Sequence, residues 1–362
     1  MSCVSYNMRF FFKFIVHLKI CFILLLVIAY QNQTINNILV KMHNGYRFPS
    51  NTALVFHHGM KNYFYMLYKH STSLPLCADL KPRPSVRYAV LVENIGDGQG
   101  YLLSAFKLSV RLNWYLRTIR DEIDIILEMV QETSPQVTDV AIMSAFRAGY
   151  DQVCHSKPIG GGVYNRFVVF NMTKYESILF VDNDIIPVND VSGLIVNGTL
   201  ELQRTGKHIM WARERRCNWF NAGVMLVLPH SSVFNQLMHL YVTLQDSALI
   251  QFIETNSGIV GKIQEALLPE KNQRDQAILN YVFHPNTKKS LTMSEQYNVL
   301  LYEHTASSEE VLQYAHLIHL IHTKPWKEPW CYLRYNHGKI CDLWFSTPTV
   351  VSQDFMDSRL AY

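Results

Sequence analysis

Residues Ile178–Pro187 read ILFVDNDIIP, an apolar run that ends in two aspartates one residue apart, Asp182 and Asp184. Four consecutive apolar residues without alternation suit a strand buried on both faces of a parallel sheet. Such a strand delivers whatever follows it to its carboxyl end, where open α/β sheets bind ligands. A chain that leaves the sheet there and turns can bring both carboxylates onto one hard cation, with a diphosphate completing its shell. An Asp-Asn-Asp triplet is also an ordinary polar cap on a loop. The segments around it decide between the two readings.

Working outward, strand and helix signals alternate. RYAVLVE (Arg87–Glu93) reads as a buried strand and GQGYLLSAFKLSVRL (Gly98–Leu112) as a helix with apolar residues at helical spacing. IDIIL (Ile123–Leu127) is a second strand, Gln136–Ala148 a helix, and Phe167–Tyr175 a helix leading into the Asp-x-Asp strand. AGVMLVLP (Ala222–Pro229) is a further strand and VFNQLMHLYVTL (Val233–Leu244) an amphipathic helix, whereas Ser247–Lys271 has no clear assignment. The alternation predicts an α/β domain with a mostly parallel, Rossmann-like sheet and helices on both faces. The turn IGDGQGY (Ile95–Tyr101) misses the G-x-G-x-x-G spacing, because Tyr101 takes the third glycine's place. That spacing argues against a redox dinucleotide site and leaves another kind of nucleotide loop open.

The chain has 362 residues, a formal net charge of +4 and 49% hydrophobic content. It can bury one large α/β core or two modest ones, and neither its charge nor any Lys/Arg block calls for a nucleic-acid partner. Phe10–Tyr30 is its one membrane-scale segment; the uninterrupted part, Cys21–Ala29, is short for a span of roughly 20 residues. Arg9, Lys13, His17 and Lys19 on the amino side predict a cytoplasmic amino end and a translocated body. A signal peptide cleaved near Val27-Ile28-Ala29 is the rival, and the uncleaved anchor is preferred. The expected division is a cytoplasmic tail over 1–9, a signal anchor over 10–30, a stem over 31–86, a catalytic domain over 87–345 and a tail over 346–362.

Glycosylation tripeptides at Asn32, Asn171 and Asn197 agree with a luminal body in the Golgi or endoplasmic reticulum. Asn171 is expected to stay unmodified in its packed helix. Five of the seven cysteines lie beyond the anchor; Cys331 with Cys341 is the first pairing expected, with one thiol left over.

Four more segments carry chemistry. Asn221-Ala222-Gly223 opens a strand after RERRCNWF (Arg213–Phe220); Asp275-Gln276 begins DQAILNYVF; HLIHTKPW (His319–Trp326) ends an apolar strand; Arg166 starts the helix before the Asp-x-Asp strand. Together, in this order from about Arg87 to Trp326, they resemble the glycogenin-like family 8 glycosyltransferases. FNAGVMLVLP is similar to that family's Phe-Asn-(Ser/Ala)-Gly-Val strand, RDQAILNYVF to its Asp-Gln-x-x-Leu-Asn helix, and the run from His319 to its His-x-x-Gly-x-Lys-Pro-Trp ending. The spacing before Lys324, with CYLRY at Cys331–Tyr335, looks most like the plant xylan glucuronosyltransferase branch.

The resemblance implies a GT-A fold and a retaining enzyme that takes a hexose-type sugar from a UDP-sugar donor with Mn²⁺ or another divalent cation. Asp182, Asp184 and His319 would hold the metal, an oxygen-rich set plus one imidazole that suits Mn²⁺. Lys324 would face a phosphate as a point charge, Tyr101 would lie near the nucleobase, and Asn221 and Gly223 against the donor sugar. Asp275 and Gln276 would sit beside the anomeric carbon, and Arg166 would contact donor phosphate or sugar. Each has a plainer reading: a surface lysine or arginine, a core tyrosine, an aspartate that caps a helix.

His316, His319 and His322 are three apart, but alternate faces of a strand separate His319 from the other two, which argues against zinc. His322 stands where the family has glycine, so a side chain meets the diphosphate there. Asn272 replaces the acidic or glycine-rich approach to Asp275 of glycogenins, which weakens a glycogenin-type acceptor role. The expected partners are a UDP-sugar, a glycan or protein acceptor and a membrane, with a homodimer left open. The alternatives are a glycogenin-type glucosyltransferase, a pseudo-transferase that binds glycan or scaffolds other enzymes, and a hydrolase using the same carboxylates.

Overall fold

The apolar run at 178–181 lies in β4 (Ser177–Asp182), every residue of which is buried. The structure is a computed structural model that describes residues 74–94, 99–130, 141–142, 144–156, 166–213, 220–244, 246–257, 274–284, 287–301, 307–320, 324–325 and 338–348. The expected anchor, most of the stem, the glycine turn at 95–98, Asn32, His322 and Cys331 lie outside these residues. All those described fall within one compact unit, Val55–Tyr362, and no helix among them is long and apolar enough to cross a membrane.

β4 pairs in parallel with β1 (Tyr88–Asn94), β1 with β2 (Ile123–Met129), and β2 with β3 (Gln152–His155). On its other side β4 pairs antiparallel with β7 (Phe220–Val227), followed by β6 (Ile209–Arg213) and β8 (Leu291–Met293), giving the order β3-β2-β1-β4-β7-β6-β8. The antiparallel step matters most for function. With Val181 opposite Val224, the start of β7 lies at the same sheet edge as Asp182. A second, small sheet forms from β5 (Ile185–Pro187), β9 (Val299–Leu300) and β10 (Leu317–His319), with β10 antiparallel to β5 and parallel to β9.

Helices cover these sheets. α1 (Gln99–Tyr115) extends past the expected boundary, and α2 (Ser192–Thr205) has no counterpart in the sequence reading. Its Asn197-Gly198-Thr199 interrupts the apolar pattern, yet Gly198 is where the helix meets the sheet: a Cβ there would lie 2.5 Å from Leu226 Cδ2. Asn197 is exposed while the Thr199 hydroxyl is buried against Ser177. α3 (Ser231–Thr243) matches its expectation, and α4 (Asp246–Ser257) fills the start of the unassigned segment. α5 (Arg274–Phe283), α6 (Ser308–Tyr314) and α7 (Gly338–Ser346) complete the described helices, α6 closed by a capping box between Ser307 and Glu310. The helix expected over Phe167–Tyr175 is instead a short 3₁₀ segment, Arg166–Asn171. Arg166 through Phe170 are all buried, so the segment has no solvent face from which to build an amphipathic α-helix.

Residues 74–86, read from sequence as stem, pack on the body. Cys77 is disulfide-bonded to Cys154 of β3, and Arg83 ion-pairs with the buried Asp124 and Asp151. Neither cysteine entered the expected pairing. Cys341 is disulfide-bonded as well, to a partner outside the described residues. At the other end Lys107 donates to the carbonyls of Trp344 (3.0 Å) and Thr347 (2.6 Å), capping α7 with a cation where the helix dipole favours one.

Glu93 and Glu128 stand opposite one another on β1 and β2, and both are fully buried. Burial pushes the Glu128 carboxyl up to about 8, against a smaller opposing pull from its hydrogen bond with Ser156. Its folded state therefore holds a proton that the unfolded chain releases near pH 4.5, and stability falls as pH climbs from there to about 8. Glu128→Gln is expected to flatten that fall, matching the parent near pH 4 and exceeding it at pH 8. Denaturant unfolding at the two pH values checks this; parallel pH profiles would exclude a buried, protonated Glu128.

Candidate active site

Asp182 closes β4, Asp184 lies in the turn to β5, and β10 returns antiparallel to β5 with His319 opposite Ile185. The backbone N–H of Leu320 donates to Asp184 O at 3.0 Å, locking the end of β10 to that turn. One ligand atom from each of Asp182, Asp184 and His319 then lies within 4.8 Å of the others, and all three residues are buried. His319 Nε2 is 3.1 Å from Asp184 Oδ1 and 3.9 Å from Asp182 Oδ2. The expected trio converges.

Lys324 makes a close ion pair with Asp184 and also donates to Leu320 O at 2.7 Å. Burial pushes the Asp184 carboxyl up, but the charges of His319 and Lys324 outweigh it and hold the group well below the usual carboxylate range. Asp184 is therefore ionised at any working pH. Its Oδ1 is nonetheless buried and has no hydrogen-bond partner by geometry among the described residues, with His319 Nε2 3.1 Å away.

Arg166 is no surface arginine. From its buried position its guanidinium reaches both Asp182 oxygens at 3.1 and 3.2 Å, Asp275 Oδ2 at 3.3 Å and, more distantly, Glu93 at 3.9 Å. Burial raises the Asp275 carboxyl, opposed by Arg166 and reinforced by Asp182. Asp275 Oδ1 accepts from the Gln276 backbone N–H at 2.7 Å, so both its oxygens are engaged by the protein.

α5 holds the start of β7 by two side chains one turn apart. Gln276 accepts from the Ala222 N–H at 3.1 Å, and Asn280 bonds both the N–H and C=O of Phe220, at 2.9 and 3.0 Å. The β6–β7 ladder is irregular between Trp211 and Arg213, so these amides stand in for a strand partner.

Asn221 is half-buried; its Oδ1 accepts from the Gly223 N–H at 2.9 Å and from Asn298 Nδ2 at 3.0 Å. Gly223 has a further reason to lack a side chain. Its missing side chain makes room for His319: a Cβ would lie 2.3 Å from His319 Cε1 and 2.7 Å from Nδ1. Tyr101 sits in the first turn of α1, at the same sheet edge. His316 turns away, with Nδ1 on Asp190 O and its ring 4.6 Å from that of Tyr297, so it shares no site with His319. His322 lies outside the described residues. Sequence reading gave no role to Asn298, Asn280 or Glu93; Asn280 closes the Asp-Gln-x-x-Leu-Asn pattern, whereas Asn298 and Glu93 belong to no recognisable spacing.

The model of glycosyl transferase family 8 matches residues 115–329, well over half of the chain. The chain belongs to this family. It is similar to a glycogenin of Komagataella phaffii, 26% identical in an alignment of 186 residues that covers 47% of this chain and 39% of that protein. It also resembles inositol phosphorylceramide glucuronosyltransferase 1 of Arabidopsis thaliana, 31% identical over 83 residues, or 23% of this chain and 14% of the other. The chain thus spans less than half the length of the curated relatives it matches. Among solved structures, the glycosyltransferase GlyE of Streptococcus pneumoniae TIGR4 is 17% identical at a TM-score of 0.45, over 76% of this chain and 64% of GlyE. An active-site mutant of LgtC is 12% identical at 0.45, over 74% and 99%. At these scores the assignment rests on the family match, and the α/β sheet described above is the architecture it carries.

Gly223→Ala separates the two uses of this glycine. An added methyl must displace the His319 ring or the β7 backbone, an overpacking cost of about 1–3 kcal/mol. The variant is expected to fold with a lowered Tm and to bind Mn²⁺ more weakly, as read by calorimetry. Unchanged Mn²⁺ affinity would return Gly223 to the role of a sugar contact.

Proposed function

We propose that the chain is a retaining glycosyltransferase that moves a hexose-type sugar from a UDP-sugar to a glycan or other acceptor, with a divalent cation assisting departure of the diphosphate. The observation that carries this reading is the buried convergence of Asp182, Asp184 and His319 beside Asp275 at the carboxyl edge of the sheet. The residues present fit a cation. Among the described residues, four carboxylates, Glu93, Asp182, Asp184 and Asp275, gather around Arg166 and Lys324, an acid-rich setting that suits a cation. The orphan Asp184 Oδ1 is a ready ligand, and two carboxylates with one imidazole favour Mn²⁺ or Mg²⁺ over softer ions. When bound, such an ion supplies Lewis-acid stabilisation of the charge that grows on the diphosphate.

In the transfer, the acceptor hydroxyl oxygen bonds to the anomeric carbon as the bond from that carbon to the diphosphate oxygen breaks. The electron pair leaves with UDP, and the hydroxyl proton passes to a phosphate oxygen. Asp275 is an awkward nucleophile, since one oxygen accepts from Gln276 and the other faces Arg166. That commitment favours a front-face path, in which Asp275 orients the sugar and Arg166 faces developing negative charge. Lys324 is positioned to exchange Asp184 for a phosphate oxygen. Asn221, whose oxygen is already taken, keeps its NH₂ group to donate to a sugar hydroxyl. Tyr101 would stack near the nucleobase.

Asp184→Ala removes a ligand but little core volume. Turnover is expected to fall on the order of 10³-fold or more with the Tm little changed, in a screen of UDP-sugars for Mn²⁺-dependent hydrolysis and transfer. Full activity in chelator would rule out the cation. A protein for this screen must begin before Cys77, because a body cut at Ser85 loses the disulfide and Arg83.

The same reading places the body in the lumen of the Golgi or endoplasmic reticulum behind a type II anchor over 10–30, with a cleaved signal as the alternative. Two observations support an oxidising compartment: the Cys77–Cys154 disulfide and the oxidised Cys341. Protein made in microsomes is expected to resist added protease until detergent opens them, and digestion of the body in intact vesicles would overturn this topology.

A further inference from the structure

His319 is held from behind by a chain of three groups that begins at an atom whose role is not in doubt. The Gly223 backbone N–H can only donate, and it points at Asn221 Oδ1 at 2.9 Å. Asn221 therefore presents its oxygen, not its nitrogen, to Asn298, 3.0 Å away. Asn298 must answer with Nδ2, which turns its own Oδ1 toward His319 Nδ1 at 3.1 Å. The reverse orientation of Asn298 would set oxygen against oxygen at one end, so a single backbone proton fixes every amide in the chain. Nδ1 of His319 consequently keeps its proton, and Nε2 is the nitrogen left to face Asp182 and Asp184.

The geometry points to Asn298 as a positioning residue: it sets the tautomer and ring orientation of His319, so that the Nε2 lone pair meets a cation held by Asp182 and Asp184. Asn298 is buried just before β9, whereas Asn221 and Gly223 belong to β7 and His319 to β10. The relay therefore spans the join between the large and the small sheet. It also explains why Gly223 cannot carry a side chain, since a Cβ would strike both the imidazole and Asn221 Oδ1, the latter at 2.9 Å. Hydrogen bonds from outer residues to the far nitrogen of a ligating histidine orient it and raise its basicity, and their loss costs about 10–100-fold in metal affinity.

This inference rests on the cation reading above, and the test keeps the two apart. ¹⁵N spectra of histidine-labelled, metal-free protein at pH 8, with His319 assigned by its loss in His319→Gln, report which ring nitrogen is protonated. Nδ1 is expected to carry a proton; a bare Nδ1 with Nε2–H would overturn the assignment without any metal present. Mn²⁺ affinity is then measured calorimetrically for the parent, Asn298→Leu and Asn298→Asp. The leucine variant is expected to bind about 10–100-fold more weakly, and the aspartate variant, which keeps an acceptor for Nδ1–H but sets its second oxygen against Asn221 Oδ1, to bind more tightly than the leucine variant. Parental affinity in Asn298→Leu, or no recovery in Asn298→Asp, would reduce Asn298 to a packing residue. If the leucine variant does not fold, Asn298→Ala takes its place, with the same expected loss and the same refuting result. Asp184→Ala serves as the separate arm: retained Mn²⁺ binding there sinks the cation reading, while loss there with parental binding in Asn298→Leu sinks only the relay.

Discussion

Burying four carboxylates at one sheet edge is the constraint that the rest of the structure serves. Removing a carboxylate from water costs several kcal/mol unless charge and hydrogen bonds replace the solvent. Glu93 and Asp182 reach this edge because they end neighbouring parallel strands in matching register, Asp184 because the chain turns there, and Asp275 because α5 starts there. Arg166 is the protein's main answer: one guanidinium serves three of the four. Its planar fork suits that task better than a lysine would. Lys324 and His319 look after the fourth. Among the described residues the edge stays rich in carboxylates, which is the setting the proposed cation would need.

Order along the chain depends on that edge being rigid. The antiparallel entry of β7 brings Asn221 and Gly223 beside Asp182, but its ladder with β6 is irregular just where rigidity is needed. α5 repairs it with Gln276 and Asn280, four residues apart and hence on one face of the helix. The helix that presents Asp275 to the site is thus the helix that braces the strand opposite. The lock between Leu320 and Asp184 does the same for the small sheet.

Much of this was legible in the sequence because it is local. An apolar run without alternation identified β4, β1 and β2, and the Asp-x-Asp, Asn-Ala-Gly and Asp-Gln segments marked the edge. Features set by distant contacts were not legible. α2 was hidden because Gly198, a helix-weakening residue, is required by Leu226 rather than by the helix. The Cys77–Cys154 bond joins residues 77 apart through an edge strand too short to read. Segment 166–171 carries helical spacing but lies wholly in the core, where a tighter turn fits. The packing of His319 against Gly223 was not legible, since nothing in Asn-Ala-Gly says that a histidine almost a hundred residues later will lie against it.

The site's two inner carboxylates are driven in opposite directions by their surroundings. Asp184 faces a lysine and an imidazole and stays ionised; Asp275 faces one shared arginine and another carboxylate, and burial raises it. Where environments push paired acids apart, their roles differ. Asp184 suits a fixed ligand, whose charge must not depend on pH. Asp275 suits an orienting group, because its charge is tied through Arg166 to that of Asp182. Arg166 divides itself between these two, so neutralising Asp182 with a cation leaves more of the guanidinium to Asp275 and to whatever charge grows beside it. Under the proposed cation reading, loading the metal side of the site would therefore prepare the reacting side through one side chain, Arg166.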